Sequence, residues 1–86
     1  MQPSLAGRTA LVTGSGRNIG RAIALQFAAA GANVVVNGAR HPEQVARVVE
    51  EIHAAGGRAL AVMADVSNPD AVATMVATAT AHFGVW

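Results

Sequence analysis

Three short apolar runs, each followed by a segment with helical periodicity, constrain the fold of this chain more than any other feature. The runs occupy residues 8–13, 33–37 and 58–66. The second contains three consecutive valines, which is typical of a strand covered on both faces. Because parallel strands that alternate with helices are joined by right-handed crossovers, the order βαβαβα predicts a parallel sheet.

The segments after the strands carry the start and stop signals of helices. Pro42 suits the first turn of the second helix, and Gly56 stops it. Asn68 is the predicted N-cap of the third helix, and Gly84 its end. The predicted buried stripes are Ile19, Ala22, Ile23, Phe27 and Ala30 in the first helix (about 18–30), Val45, Val48, Val49 and Ile52 in the second, and Val72, Met75, Val76, Ala79 and Phe83 in the third.

These units together predict an α/β fold that is half of a doubly wound, Rossmann-like parallel sheet with strand order 3-2-1. In the complete fold a fourth strand pairs with the first, whereas this sequence has 86 residues and stops after the third helix. An uncovered apolar strand edge invites pairing with another chain. We therefore expect either a fragment truncated before the fourth strand or a chain that self-associates at this edge.

A glycine-rich loop, TGSGRNIG, joins the first strand to the first helix. Its spacing departs from G-x-G-x-x-G, because the third glycine position is Ile19. Gly14 would supply the sharp turn, and Gly20 would let helix and strand pack closely. Backbone N–H groups at such a helix start can bind a pyrophosphate. The alternative is that these glycines only form the turn between a strand and a helix.

The same loop resembles the T-G-x-x-x-G-x-G motif of the short-chain dehydrogenase/reductase family, with Asn18 in place of the middle glycine. Asn tolerates positive φ, so we expect the loop conformation to be kept. GANVVVN, ADVSNPDAV and AHFGVW resemble the family's second strand, the end of its third strand and the segment before its fourth. The resemblance is greatest to 3-oxoacyl-(acyl carrier protein) reductase-like members. It implies hydride transfer between a dinucleotide cofactor and a small carbonyl or alcohol substrate, and it assigns adenine binding to Asp65 and Val66.

The end of the second strand distinguishes NAD from NADP, because an acid there binds the ribose 2′-hydroxyl. Gly38 occupies that position, and the first acid after it is Glu43. Arg17 and Arg40 can instead approach the adenosine end, and a guanidinium fork suits a phosphate. We therefore predict NADP rather than NAD, the alternative being that both arginines are solvated surface charges.

The predicted site belongs to a single domain, residues 1–86, which would be the N-terminal dinucleotide-binding half of a Rossmann domain. The predicted cofactor-binding residues are Gly14, Ser15, Arg17, Asn18, Ile19, Gly20, Asn37, Arg40, Asp65 and Val66. Asp65 has a second interpretation as a loop cap. Ser15 lacks a neighbouring base, which favours a phosphate ligand over a nucleophile.

Composition excludes several other functions. The chain has no Tyr and no Lys, so the family's catalytic Tyr and Lys cannot be among these residues, and we predict no catalytic residue and no activity for the chain alone. A net charge of +1 with dispersed arginines argues against nucleic-acid binding, and no apolar run reaches membrane-spanning length. The three scattered histidines predict no metal site, and the missing signal pattern favours a cytoplasmic location. The resemblance implies a homo-oligomer, and the alternative function is a nucleotide-binding or self-associating module without catalysis.

Overall fold

Three parallel strands form one sheet in the order β1-β2-β3, and helices connect them. The structure is a computed structural model that describes residues 5–14, 16 and 18–84. The elements are β1 (Thr9–Val12), α1 (Asn18–Ala29), β2 (Asn33–Gly38), α2 (Pro42–Ala54), β3 (Arg58–Met63) and α3 (Pro69–Phe83). The predicted βαβαβα order and the 3-2-1 strand arrangement are confirmed.

Strand β2 lies in the centre and pairs with both neighbours. Its first residue, Asn33, is opposite Thr9 on β1 and Arg58 on β3, and its last, Gly38, is opposite Met63. Because all three strands run in the same direction, their carboxyl ends meet at one edge of the sheet. The loops that could bind a ligand all leave from that edge.

The main core lies between the sheet and the α1–α2 layer. Val34 and Val36 of β2 are fully buried there with Val48 and Ile52 of α2. Val35 is also fully buried and points to the opposite face, on which α3 packs. The valine run is therefore covered on both faces as predicted, and each such side chain contributes about 1.5–3 kcal/mol by its burial.

Helix α3 has the predicted ends. The Asn68 side chain accepts hydrogen bonds from the backbone N–H groups of Asp70 (2.9 Å) and Ala71 (3.3 Å). Gly84 ends the helix with φ +83°. Of its predicted buried stripe, Met75 and Ala79 are buried, whereas Val76 is exposed.

The predicted buried face of α1 is wrong. Ile19, Ile23 and Phe27 are exposed, and Ala24 is the buried residue of the helix. The helix is apolar around most of its circumference, so periodicity alone does not select a face. Ala24 packs into the core with Leu25 and Ala28 beside it, and the two alanines let the helix approach the sheet closely.

The bounds of all three strands also differ from the prediction. Strand β1 spans residues 9–12 rather than 8–13, β2 ends at Gly38 rather than at residue 37, and β3 ends at Met63 rather than at residue 66. Asp65 and Val66 therefore lie in the turn after β3.

Strand β1 forms an edge of the sheet, and within the described part of the chain it pairs with β2 alone. Helices α1 and α2 are linked beside this sheet by an ion pair between Arg21 and Glu51, in which Nε of the arginine donates to Oε1 at 3.2 Å. Among the described helices, none combines the length and apolar character needed to cross a bilayer.

Candidate cofactor-binding site

An open cavity of about 240 Å³ lies at the carboxyl edge of the sheet. The β1–α1 loop, the end of β2 and the start of α2 contribute its walls. Its described lining residues are Gly14, Gly16, Gly38, Ala39, Arg40, His41, Gln44 and Val45. This is the edge at which ligands bind in open α/β sheets.

The loop between β1 and α1 depends on two residues with positive φ. Gly14 has φ +60° and makes the turn out of the strand. Asn18 has φ +57° and is the single non-glycine residue with positive φ in the described chain, as expected for the Asn that stands in a glycine position. Helix α1 begins at Asn18, and the first N–H groups of a helix have no intrahelical partner. They provide the positive helix end that an anion requires.

Two further glycines shape the cavity by close approach. A Cβ atom at Gly16 would lie 3.3 Å from Cβ of Gln44, and one at Gly38 would lie 2.5 Å from Cγ2 of Val45. The backbone of the loop and of the β2 end therefore approaches α2 as closely as glycine permits. These two glycines line the cavity without a side chain, so a ligand can approach their polar backbone, and this fits the phosphate-bearing half of a dinucleotide.

Asn37 is buried (2% exposed) at the end of β2 and connects the three strand ends. Its Nδ2 donates to the carbonyl oxygens of Val62 (3.1 Å) and Ala64 (3.2 Å). Its Oδ1 accepts a long hydrogen bond, 3.4 Å, from the Gly14 N–H. The Gly14 amide is therefore directed to the Asn37 side chain.

Asp65 stabilises the turn after β3. Its Oδ1 accepts hydrogen bonds from the Ser67 hydroxyl (2.7 Å) and the Ser67 N–H (2.9 Å). These bonds lower the pKa of Asp65, the hydroxyl having the largest effect, and the positive charge of Arg40 lowers it further. The loop-cap interpretation of Asp65 thus has a structural basis.

The structure brings Gly14 and Arg40 to the same cavity. Ile19 is not among the described lining residues and is 77% exposed at the start of α1, and Gly20 follows it half-buried. Val66 is half-exposed in the turn that contains Asp65. Ser15 and Arg17 lie outside the described residues.

Sequence reasoning missed His41 and Gln44, which line the cavity at the start of α2. Nδ1 of His41 lies 3.5 Å from Oε1 of Glu43. Their position directly after the second strand, on either side of the Pro42 signal for a helix start, could have identified them. In the described part of the chain, no three His, Cys, Asp or Glu side chains are grouped to hold a metal ion.

A family model described as short chain dehydrogenase matches residues 8–85. The chain belongs to the short-chain dehydrogenase/reductase family. Family members are oxidoreductases that bind nicotinamide dinucleotides. Versicolorin reductase 1 of Dothistroma septosporum, a curated relative, is 52% identical over 80 residues, which are 93% of this chain and 30% of that protein.

Solved structures agree with this assignment to the short-chain dehydrogenases/reductases. A dehydrogenase/reductase from Sinorhizobium meliloti has a TM-score of 0.91 and 42% identity, over 94% of this chain and 32% of its own. A short chain dehydrogenase from Burkholderia cenocepacia in complex with NADP has a TM-score of 0.89 and 43% identity, over 95% of this chain and 34% of its own. This short-chain dehydrogenase/reductase sequence spans about a third of the length of the proteins it matches.

Proposed function

We propose that this chain is the dinucleotide-binding half of an NADP(H)-dependent reductase that interconverts a carbonyl and an alcohol. The main support for NADP over NAD comes from the residues that line the cavity at the end of β2. Arg40 lines it, and Gly38 stands where an acid would bind the ribose 2′-hydroxyl. The described lining residues include no carboxylate that would repel a 2′-phosphate.

Several local features favour an anion at this wall. The guanidinium of Arg40 can form bidentate hydrogen bonds to a phosphate. Helix α2 begins at Pro42 beside it, and the positive end of a helix attracts negative charge. His41, at the N-cap position, adds a ring nitrogen to the same wall. The Burkholderia cenocepacia structure, which is similar over nearly all of this chain, contains NADP, and this agrees with the proposal.

The nicotinamide, when bound, supplies the hydride for carbonyl reduction. The residues of this chain would bind the adenosine and phosphate portion and orient it. Amides at the start of α1 would hold the pyrophosphate, Arg40 the 2′-phosphate, and the turn containing Asp65 and Val66 the adenine. Since these 86 residues include no Tyr and no Lys, we propose that they do not catalyse the reaction by themselves.

Titration with NADPH and NADH, followed by isothermal calorimetry, tests the cofactor assignment. We expect NADPH to bind at least about tenfold more tightly, which corresponds to one charge-assisted hydrogen bond. Equal or tighter binding of NADH would refute the choice of NADP. Absence of binding by both cofactors would favour the self-associating module, for which size-exclusion chromatography should then show a dimer or larger species.

The coding sequence downstream of Trp86 tests the reductase assignment independently. A Tyr-x-x-x-Lys motif in the continuing frame is expected for a member of this family. A frame that continues without that motif would contradict the proposed reaction and leave nucleotide binding as the function.

A further inference from the structure

The Asn37 amide uses both of its functional groups to join separate parts of the candidate site. Val12 is the last residue of β1 and pairs with Val36, so regular pairing between β1 and β2 ends one residue before Asn37. On the other side, the Ala64 N–H donates to the Gly38 carbonyl (3.0 Å) and extends the pairing of β2 with β3. Asn37 therefore lies where β1 separates from β2, whereas β3 stays paired with β2 beyond it.

The partners of Asn37 lie next to the two predicted binding elements. Gly14, whose N–H donates to Oδ1, begins the glycine loop. Ala64, whose carbonyl accepts from Nδ2, directly precedes Asp65. Asn37 is 2% exposed and is not among the described lining residues of the cavity, so its contacts are with these neighbours.

We propose that Asn37 is a positioning residue that sets the glycine loop and the Asp65 turn relative to each other, so that one buried amide aligns the phosphate-binding and adenine-binding elements. The proposal rests on the proposed dinucleotide site. It differs from direct cofactor contact, which the sequence analysis expected of Asn37. Only a side chain with both a two-hydrogen donor and an acceptor can satisfy two carbonyls and one N–H.

Two substitutions remove this function in different ways. Asn37→Asp keeps the shape but turns a carboxylate oxygen toward the two carbonyl oxygens, which repel it. Asn37→Ala removes the amide without adding charge. Asn33 provides a matched control because it is also buried (6% exposed), occupies the same strand and face, and lies at the opposite end of β2.

The proposal is tested on the full-length protein by cofactor titration and by hydrogen exchange. In both Asn37 variants the affinities for NADPH and NADH should fall at least about tenfold, by the same factor for each cofactor. The Gly14 amide should also exchange faster with solvent. Asn33→Ala should lower stability but leave both affinities within about twofold. The ratio of the NADPH and NADH affinities separately tests the choice of NADP. A failure of the positioning proposal can therefore be distinguished from a failure of the proposed function.

Other outcomes would overturn the positioning role. The positioning role is wrong if Asn37→Ala binds both cofactors as tightly as the unmodified protein does. It is also wrong if Asn33→Ala loses as much affinity as the Asn37 variants do. Should both Asn37 variants fail to fold, the unmodified protein still provides the test. If the Gly14 amide of the unmodified protein exchanges as fast as an amide in an unstructured peptide, Asn37 does not hold the loop.

Discussion

Gly38 allows the packing at the end of β2 to be tested by substitution. An ideal Cβ at this position would lie 2.5 Å from Cγ2 of Val45, whereas nonbonded carbons prefer about 3.5–4.0 Å. Val45 is 1% exposed, and a β-branched side chain in a helix has one strongly preferred rotamer. It therefore cannot rotate away, and Gly38→Ala requires α2 to shift.

The expected magnitude follows from the overlap. Forcing one extra carbon into a packed core costs about 1–3 kcal/mol, reduced by up to about 1 kcal/mol because Ala restricts the unfolded chain more than Gly. Val45→Ala removes two buried methyl groups, at about 0.8 kcal/mol each before any cavity cost. In the double variant the new methyl occupies the vacated space. We expect its cost to be close to that of Val45→Ala alone, a coupling of about 1–2 kcal/mol.

A double-mutant cycle followed by urea unfolding and circular dichroism measures this coupling. Val49→Ala provides the control cycle, because Val49 lies on the same helix but does not contact the position of the new methyl group. A coupling below about 0.5 kcal/mol between positions 38 and 45, or an equal coupling with position 49, would refute the described contact. The effect of each single substitution on helix or strand propensity cancels in the coupling energy.

The remaining predictions concern three polar residues of the site. Arg40→Gln should weaken NADPH binding by about tenfold to a hundredfold with little change for NADH, whereas Arg58→Gln, at the opposite end of the sheet, should change neither in calorimetric titration. Asn18→Gly should keep or raise the free energy of unfolding because φ is +57°, whereas Asn18→Ala should lower it by about 1–2 kcal/mol, and equal stabilities would contradict the backbone assignment. Ser67→Ala should raise the pKa of Asp65 toward its ordinary value in an NMR titration, while Ser67→Thr should not. Since folding lowers this pKa, Asp65 stabilises the fold at pH values above the unfolded pKa, and the contribution should disappear as pH falls through the folded pKa and be smaller in Ser67→Ala.

Local signals in the sequence were sufficient for most of the fold. The three valines of β2 identified a strand buried on both faces, and Asn68 with Gly84 identified both ends of α3. Such features are decided by residues close in sequence, namely by alternation, capping and backbone φ. The elements, their order and the strand arrangement follow from them.

Features that depend on distant contacts were not predictable in the same way. The exposed face of α1, with Ile23 and Phe27, carries as many apolar residues as the buried one, so the choice depends on how closely the helix packs on the sheet. The bonds of Asn37 join residues 23 to 27 positions apart. The sequence is therefore enough to predict Asn37 as a site residue, whereas the positioning role that we propose for it depends on these long-range bonds.

Packing and cofactor choice at the end of β2 have a common physical cause. In the sequence, Gly38 indicates only that an acid is absent, whereas in the structure Val45 leaves no space for any side chain there. An NAD-type acid would therefore need two changes. We expect Gly38→Asp alone to destabilise the protein without improving NADH binding, and Gly38→Asp with Val45→Ala to bind NADH more tightly relative to NADPH, because the acid can then reach the ribose 2′-hydroxyl. If Gly38→Asp alone shifts the NADH-to-NADPH affinity ratio as far as the double variant does, Val45 does not restrict this position, and the link between packing and specificity is wrong.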